Sequence, residues 1–550
     1  MNTKNIKHFL LAGMVCCGVS TAITSCSDWD DHYESNADMG ASGSNLWQQI
    51  QSNPQLSDFR EVLEKTKVYR MHKKTPVSYA DMLSSGQAFT VMAPLNGTFN
   101  KDSLLNLVET VVGDSSVEKS FVQNHLTRSL VSIKPEPARL MMLNQKRLNI
   151  ADGKVDGVTV TEANNHAGNG VLHILQRALN YKHNLFEMFC DNPELEAIGA
   201  NLRRFNTDEF LPEASVQNGV IEGVPVYVDS VVIEKNRLLE EIGLLKDEDS
   251  TYVVVAPTIE GWNEIWEEAS NYFQYEESME KRDSLQQYYT IRALLEDGIF
   301  NMTDQKSPND SLISVPYLKQ NRTYTNNKYV YHVFRDPFSE GGILYGAKPI
   351  KCSNGTIYTT DKWSFTPEQT YFKELFVEAE GTHLITDYNK CVLNQRQLAA
   401  DSIFEGKYLR IAPLLATDNW DVTFQVDNTL SGSYDIYAVV LPKSVYDQTD
   451  PDQRPCKFKA TISYLDKKGK IQKFDCVNEE GKAEFLSDPE KIDRVLLAKN
   501  FKFPTCSYGQ NGVRVTIKLT CSITARQTSS YAREMFLDCI YLKPHTSKSE

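Results

Sequence analysis

The sequence is poor in the features most enzymes need. Its 550 residues include only ten histidines, and HExxH, GxSxG and the phosphate-binding GxxxxGKS/T are all missing. Zincin, α/β-hydrolase and P-loop chemistry therefore have no motif to rest on. A glycosidase carboxylate pair is not visible in a sequence, because its members meet only in the fold. No CxxC or Cys/His ligand spacing occurs among the 11 cysteines, which argues against zinc. Beyond the amino terminus no apolar run approaches the ~20 residues of a membrane-spanning helix. Basic residues are outnumbered, 58 against 72 acidic ones, for a net charge of −14. Nucleic-acid binders carry basic patches, so nucleic acid is excluded as a partner, while neutral sugars and peptides are not. The expectation is a protein that is not an enzyme.

The first residues read as targeting sequence. Lys4 and Lys7 precede a short apolar run, Leu10 to Ile23, which ends in Thr24-Ser25-Cys26. This pattern resembles the bacterial lipobox, which implies a signal peptide over 1–25 and lipidation at Cys26. Acyl chains anchor strongly because each buried methylene contributes about 0.8 kcal/mol. The acidic stretch Asp28-Trp29-Asp30-Asp31-His32-Tyr33-Glu34 resembles an export signal for the outer face of the outer membrane; a solvated tether is the alternative. Residues 26–43 are read as a lipid-anchored flexible tether, with the small polar run from Asn36 to Ser44 as its linker.

The length predicts about three or four domains. Cys16 and Cys17 leave with the signal peptide, and six of the remaining eight unlipidated cysteines lie from Cys391 onward. An exported chain can oxidise such thiols. Cys456 and Cys476 flank one hairpin turn, Asp466 to Gly469, and Cys521 and Cys539 flank the loop Arg526 to Ala532. Each pair is a candidate disulfide, with buried free thiols as the alternative.

The chain repeats itself. Phe89-Thr90-Val91-Met92-Ala93-Pro94 recurs as Tyr252-Val253-Val254-Val255-Ala256-Pro257, and Asn169-Gly170-Val171-Leu172-His173-Ile174 recurs as Asn354-Gly355-Thr356-Ile357-Tyr358-Thr359. Four apolar residues before Ala-Pro read as a buried strand that Pro ends, and Asn-Gly reads as a turn into another strand. Helical spacing precedes each copy, from Asn45 to Val62 and from Leu185 to Ile198. Pro94 and Asn169 are 75 residues apart and Pro257 and Asn354 are 97 apart, so the second copy has gained about 22 residues, expected in loops between Glu276 and Tyr345. Mixed helices and strands in this order predict α+β domains. With Asn124-His125 and the strand from Val158 to Asn164, the first copy resembles the fasciclin domain. The second keeps the Ala-Pro strand and the Asn-Gly but lacks the Asn-His pair. The resemblance implies a fasciclin domain over 44–182, a divergent one over 183–374, and a role in adhesion or interaction. His125 and His173 are read as core residues and given no site.

From Phe376 short strand-like runs follow one another, among them Trp420 to Val426, Tyr434 to Leu441 and Val513 to Leu519, which predict an all-β sandwich over 375–546. Its ends, Val377-Glu378-Ala379-Glu380-Gly381 and Phe536 to Leu542, and its Ser431-Gly432-Ser433-Tyr434 resemble a jelly-roll carbohydrate-binding module. That resemblance implies pairing of the first and last strands and a structural calcium held by Glu378, Glu380 and Asp538, hard oxygen donors suited to that ion. Exposed strand carboxylates are the alternative. Sugar binding needs exposed aromatics beside polar groups, and Trp420, Tyr508 and Tyr531, each next to a polar loop, are the candidates. The fold class expected is multidomain: two α+β fasciclin-like domains followed by an all-β jelly-roll sandwich.

Two functions compete. One is a cell-surface lipoprotein of the outer membrane that binds polysaccharide or oligosaccharide as an accessory of a starch-utilisation-type nutrient-uptake system, beside its transporter and lipoprotein lid. The other is an adhesin acting through the fasciclin domains, or a transporter-docking subunit with no free ligand. Aromatics gathered on one sandwich face favour the first, and an apolar patch on a fasciclin domain favours the second.

Overall fold

A computed structural model describes residues 43–70, 73–221, 224–301, 311–315, 317–319, 328–330, 332–397, 406–449 and 452–545. The signal segment, Cys26 and the acidic stretch lie outside the described residues. The chain forms two compact units, which divide between Lys182 and His183.

In the first unit Asn45 caps the helix Leu46–Ser52: its side chain accepts from the Gln48 N–H, and the Gln48 side chain accepts from the Asn45 N–H. The expected helical stretch from Asn45 to Val62 is two helices. Pro54 has no N–H to continue the ladder, so the chain turns at Asn53, makes one 3-10 turn over Pro54–Leu56 and restarts at Ser57–Lys65. The apolar spacing holds across the break, and Leu46, Ile50, Leu56, Phe59 and Val62 are all buried. They pack on a seven-stranded sheet in which Phe89–Pro94 runs parallel to Gly170–Leu175 and the long strand Val158–Ala167 folds back on the latter.

The Asn-Gly motif does more than turn the chain. The Asn169 side-chain oxygen accepts from the Leu46 N–H at 2.7 Å, and its amide donates to the carbonyls of Leu83 at 2.8 Å and Ser85 at 2.7 Å. One buried amide thus closes the start of the first helix and the end of the helix Tyr79–Ser84. Gly170 sits at φ +152°, where a Cβ would lie 1.9 Å from the Phe89 carbonyl, so only glycine permits the parallel pairing there.

His125 and His173 are core residues. The Leu179 N–H donates to His125 Nε2 at 2.9 Å, so Nδ1–H donates to the Phe121 carbonyl at 2.8 Å. His173 takes the opposite tautomer: the Asn164 N–H donates to Nδ1, and Nε2–H donates to the Val131 carbonyl. Burial lowers both pKa values, that of His125 to about 4.

The second unit opens in the same way. Asn184 caps the helix Leu185–Asp191, Asn192-Pro193 turns into a 3-10 turn, and the helix Glu196–Arg203 follows. Asn354 accepts from the Leu185 N–H at 2.8 Å and donates to the carbonyls of Leu245 and Asp247, as Asn169 does in the first unit. Gly355, at φ +157°, lets Gly355–Thr360 run parallel to Tyr252–Pro257. The register places Asp297-Gly298 where the first unit has Asn124-His125, since Ile299 pairs with Val254 as Leu126 pairs with Val91. The extra residues expected as loops form two small ladders instead, Ser311–Ile313 with Val333–Arg335 and Tyr317–Lys319 with Lys328–Val330. A long hairpin, Asn206–Ile221 with Val224–Asn236, also belongs to this unit.

The rest of the second unit is two six-stranded antiparallel sheets around one core. The first sheet centres on Met535–Pro544, which pairs with Lys407–Pro413, with Ser433–Val440 and with the opening strand Leu375–Glu378. First and last strands pair, as expected. The second sheet contains Asp421–Gln425, Thr516–Cys521 and Lys457–Leu465. The core does not stop at the sandwich: Phe273, Tyr275 and Phe372 belong to it. The segment following the helix Ile259–Ser270 lies along the sandwich, with Ser431 Oγ donating to the Asn271 carbonyl at 2.8 Å and accepting from the Gln274 N–H at 3.0 Å. The Cys506 N–H donates to the Gln274 carbonyl, and Arg514 pairs with Glu276.

Asn169→Ala removes three buried hydrogen bonds and is expected to cost about 3 kcal/mol in chemical denaturation of the full chain. A loss under about 0.5 kcal/mol would mean that the helix ends find other partners. For His125, the unfolded chain takes up a proton near pH 6.5 and the folded chain only near about 4. Stability from this group is therefore present above about pH 6.5 and falls as the pH drops towards 4, by about 3 kcal/mol in all. NMR of the ring nitrogens at pH 5.5 should show a neutral Nδ1–H ring; a charged ring would refute the assignment.

Candidate functional site

Strand alternation gives the first sheet two faces. Leu375, Val377, Leu409, Ile411, Leu537 and Leu542 enter the sandwich core. Phe376, Tyr408, Tyr437, Phe536 and Tyr541 turn to the other side. Three of these rings stand on adjacent strands in direct register, Phe376 opposite Tyr541 and Tyr541 opposite Tyr437. They stack nearly parallel, with centroids 4.7 Å apart at 16° and 5.7 Å apart at 25°. The Tyr541 hydroxyl donates to Glu374 at 2.5 Å, and the Arg494 guanidinium lies 5.9 Å from the Tyr541 ring centre. Burial, reinforced by the bond to Glu374, raises the Tyr541 phenol pKa.

A second aromatic group continues this face. Tyr446 follows the short turn Lys443–Val445 and stacks on Phe536 at 5.6 Å and 29°. Its ring is 39% exposed, enough to receive a ligand. The guanidinium of Arg410 lies 4.6 Å from the ring centre and that of Arg396 5.5 Å. Arg410 is fixed by Glu534, its Nε donating to Oε1 at 2.5 Å. Beside this group is a cavity lined in part by Leu441, Lys443, Arg454, Asp488, Glu534 and Phe536. Arg454 grips Asp452 with two hydrogen bonds of 2.6 Å, which hold that carboxyl well below the usual carboxylate range. Tyr408, Phe536 and Tyr541 are themselves buried, so Tyr446 is the ring of this group that solvent reaches, with hydrogen-bonding groups around it.

The residues expected to bind ligand are elsewhere. Trp420 is wholly buried, and its indole N–H donates to the Arg533 carbonyl at 2.5 Å, so it is a core residue and no platform. Tyr508 packs edge-on against Phe273 and Tyr289 of the preceding segment, and its carbonyl accepts from the Tyr275 hydroxyl. It closes the joint between the sandwich and the residues before it. Tyr531 is half-buried beneath the Lys457 ammonium, 5.4 Å from its ring centre. The Ser431-Gly432 pair serves the same joint as Tyr508, since a Cβ on Gly432 would meet the Phe372 ring at 2.8 Å.

Glu378, Glu380 and Asp538 are buried, not exposed strand residues. Burial raises the pKa of the neighbouring Cys539 thiol, and the charges of Asp538, Glu378 and Glu380 add to the effect, so each of the three lies within electrostatic reach of that thiol. As arranged, no group of three His, Cys, Asp or Glu among the described residues encloses a metal ion. The expected disulfides are absent: Cys456, Cys476, Cys521 and Cys539 are free thiols. The register explains why. Cys476 sits opposite Ala460, several residues along the strand from Cys456, and Cys521 and Cys539 belong to different sheets. Burial raises the Cys476 thiol to about 12 and the Cys521 thiol to about 11.

The residues that do form the site, Phe376, Tyr437, Tyr446, Phe536 and Tyr541 with Arg396, Arg410 and Arg494, carried one faint signal. Their strands place large apolar residues on both faces, where a sandwich strand with a solvated face would alternate apolar with polar.

Residues 54–181 match the fasciclin domain family, so the first unit carries the domain its motifs implied. No curated protein matches the chain. Among solved structures, the FAS1 domain pair of the insect cell adhesion molecule Fasciclin I aligns at 11% identity and a TM-score of 0.19, over 52% of this chain and 90% of that one. The CBM22-1-GH10 modules of Clostridium thermocellum xylanase 10B, complexed with xylohexaose, align at 11% identity and a TM-score of 0.20, over 32% of this chain and only 28% of that one. The C-terminal family 22 carbohydrate-binding module of the same xylanase aligns at 9% identity and a TM-score of 0.21, over 32% of this chain and 94% of that one. TM-scores this low carry no argument about fold or ligand.

Proposed function

We propose that this chain is a non-catalytic surface protein whose sandwich binds glycan. The observation that carries the reading is Tyr446, 39% exposed and stacked on Phe536 on the outer side of the first sheet, with the guanidiniums of Arg396 and Arg410 beside its ring. Sugars are held by stacking on such rings while polar groups fix their hydroxyls. In this reading Cys26 carries the lipid that keeps the protein at the outer membrane, and the protein serves a nutrient-uptake system beside its transporter and lipoprotein lid. The amino-terminal residue pattern supports that placement. Residues 183–374 are, in the same reading, a divergent fasciclin domain, supported by the bonds of Asn354 that repeat those of Asn169.

One observation favours a second reading, adhesion or docking through the first unit. Leu107, Val111 and Val112 are 45%, 59% and 83% exposed around one helix turn, an apolar surface on the fasciclin domain.

The full chain from Ser27 onward, applied to an array of plant, host and microbial polysaccharides, decides between them. Binding weakened about tenfold or more by Tyr446→Ala, the loss of about 1.4 kcal/mol, supports the glycan reading. No binding to any glycan, with capture of membrane proteins that Val112→Asp abolishes, supports the second. Calcium belongs to the first reading through Glu378, Glu380 and Asp538, whose carboxylate oxygens are the hard donors that ion takes. Thermal melts of the full chain should rise by several degrees with calcium and return with chelator. Identical melts remove calcium from the reading.

A further inference from the structure

The glycan face carries an unusual share of arginine. Arg396 and Tyr408 are cross-strand partners, as are Arg410 and Phe536, so both guanidiniums stand on the outward face of one edge of the sheet. Tyr446 lies across them with its ring toward both. Their circumstances differ. Arg410 is neutralised by Glu534. Arg396 is exposed, and among the described residues its guanidinium meets the Tyr446 ring and no carboxylate. A cation kept over an aromatic ring without a counter-ion is a pre-oriented donor fork, with planar N–H groups spaced to take both oxygens of one anionic group. In a chain of net charge −14, this local arrangement runs against the overall balance.

We propose that the ligand of this face is an acidic glycan, one whose sugar ring stacks on Tyr446 while its carboxylate or sulfate is bound by Arg396. The inference rests on the glycan reading above and names its substrate class. Arg410, anchored by Glu534, orients the Tyr446 ring and leaves Arg396 to meet the ligand. An uncharged sugar uses the ring alone and forgoes the charge-assisted bonds, which are about twice as strong as neutral ones.

The test pairs polymers that differ only in charge. Polygalacturonate is compared with its methyl ester, and chondroitin sulfate with desulfated chondroitin, by titration calorimetry on the full chain. The expected result is tighter binding, by at least tenfold, to the charged member of one pair. Arg396→Gln should bring the ratio of charged to uncharged affinity down to about one, whatever it does to the uncharged member. The pair that discriminates tells carboxylate from sulfate. Raising the salt concentration should weaken the charged complex only. Equal affinity for both members of each pair, or an Arg396→Gln variant with unchanged preference, overturns the acidic-glycan assignment while the glycan reading stands. Failure of every polymer, charged or not, overturns both. Circular dichroism of the variant guards against misfolding, and Arg396→Lys, which keeps the charge and loses the fork, should fall between the two.

Discussion

One buried carboxamide does the organising in each unit. Asn169 ties a helix start, a helix end and the pair of parallel strands into one point, and Asn354 ties a helix start and its own pair of parallel strands to the carbonyls of Leu245 and Asp247, in the loop beyond the helix Arg237–Ile242. Parallel strands cannot be joined by a tight turn, so something must hold them in place while the chain makes its crossover. A side chain that satisfies three backbone groups that would otherwise be buried without partners is suited to that, because leaving any of them unpaired costs more than the bond itself contributes. The glycine that follows is part of the same device. Without a Cβ it lets the strand approach close enough for the amide to reach.

In the second unit this frame supports the sandwich. The segment from Asn271 to Glu277 leaves a helix of the frame and is received by Ser431, Cys506 and Arg514 of the sandwich, while Tyr508 closes over Phe273 and Tyr289. The inner aromatics of the sandwich are thus used in packing, and the ring left most exposed beside the first sheet is Tyr446. The outward rings of that sheet hold their places because they are cross-strand neighbours on a sheet whose other face is fully packed, which fixes their register. The site sits on strands and one short turn, a rigid support for stacking.

Much of the frame could be read in the sequence because its signals are local. A run of buried residues ended by Pro and an Asn-Gly pair ahead of an apolar run need no distant partner to be recognised, and in each unit the two runs are strands paired in parallel. The Asn-Pro breaks at Asn53 and Asn192 are equally local, yet the apolar spacing runs straight through them and conceals the restart. The site was far less legible. Trp420 and Tyr508 sit beside polar loops, as platforms do, but what fills the space next to Tyr508 is Phe273, more than two hundred residues earlier in the chain. Tyr437 and Tyr541 occupy strands that are apolar on both faces, so nothing in the period marks which face holds the rings. The disulfide pairs failed for the same reason: flanking a turn says nothing of register or of which sheet a strand joins. The pairing of Leu375–Glu378 with Met535–Pro544 was a relation the resemblance supplied.

The joint at Ser431 has a mechanical consequence. On the function proposed, a polymer held at Tyr446 pulls on the sandwich, and the load must pass to the rest of the unit. Peptide links alone would carry it in series, with each loop stretching in turn. Here the backbone bonds of Ser431 and Cys506 and the Arg514–Glu276 pair lie side by side between the two parts and share a common core, so they resist together in shear. Under that proposal, tension on the glycan passes through these bonds to the frame of the second unit.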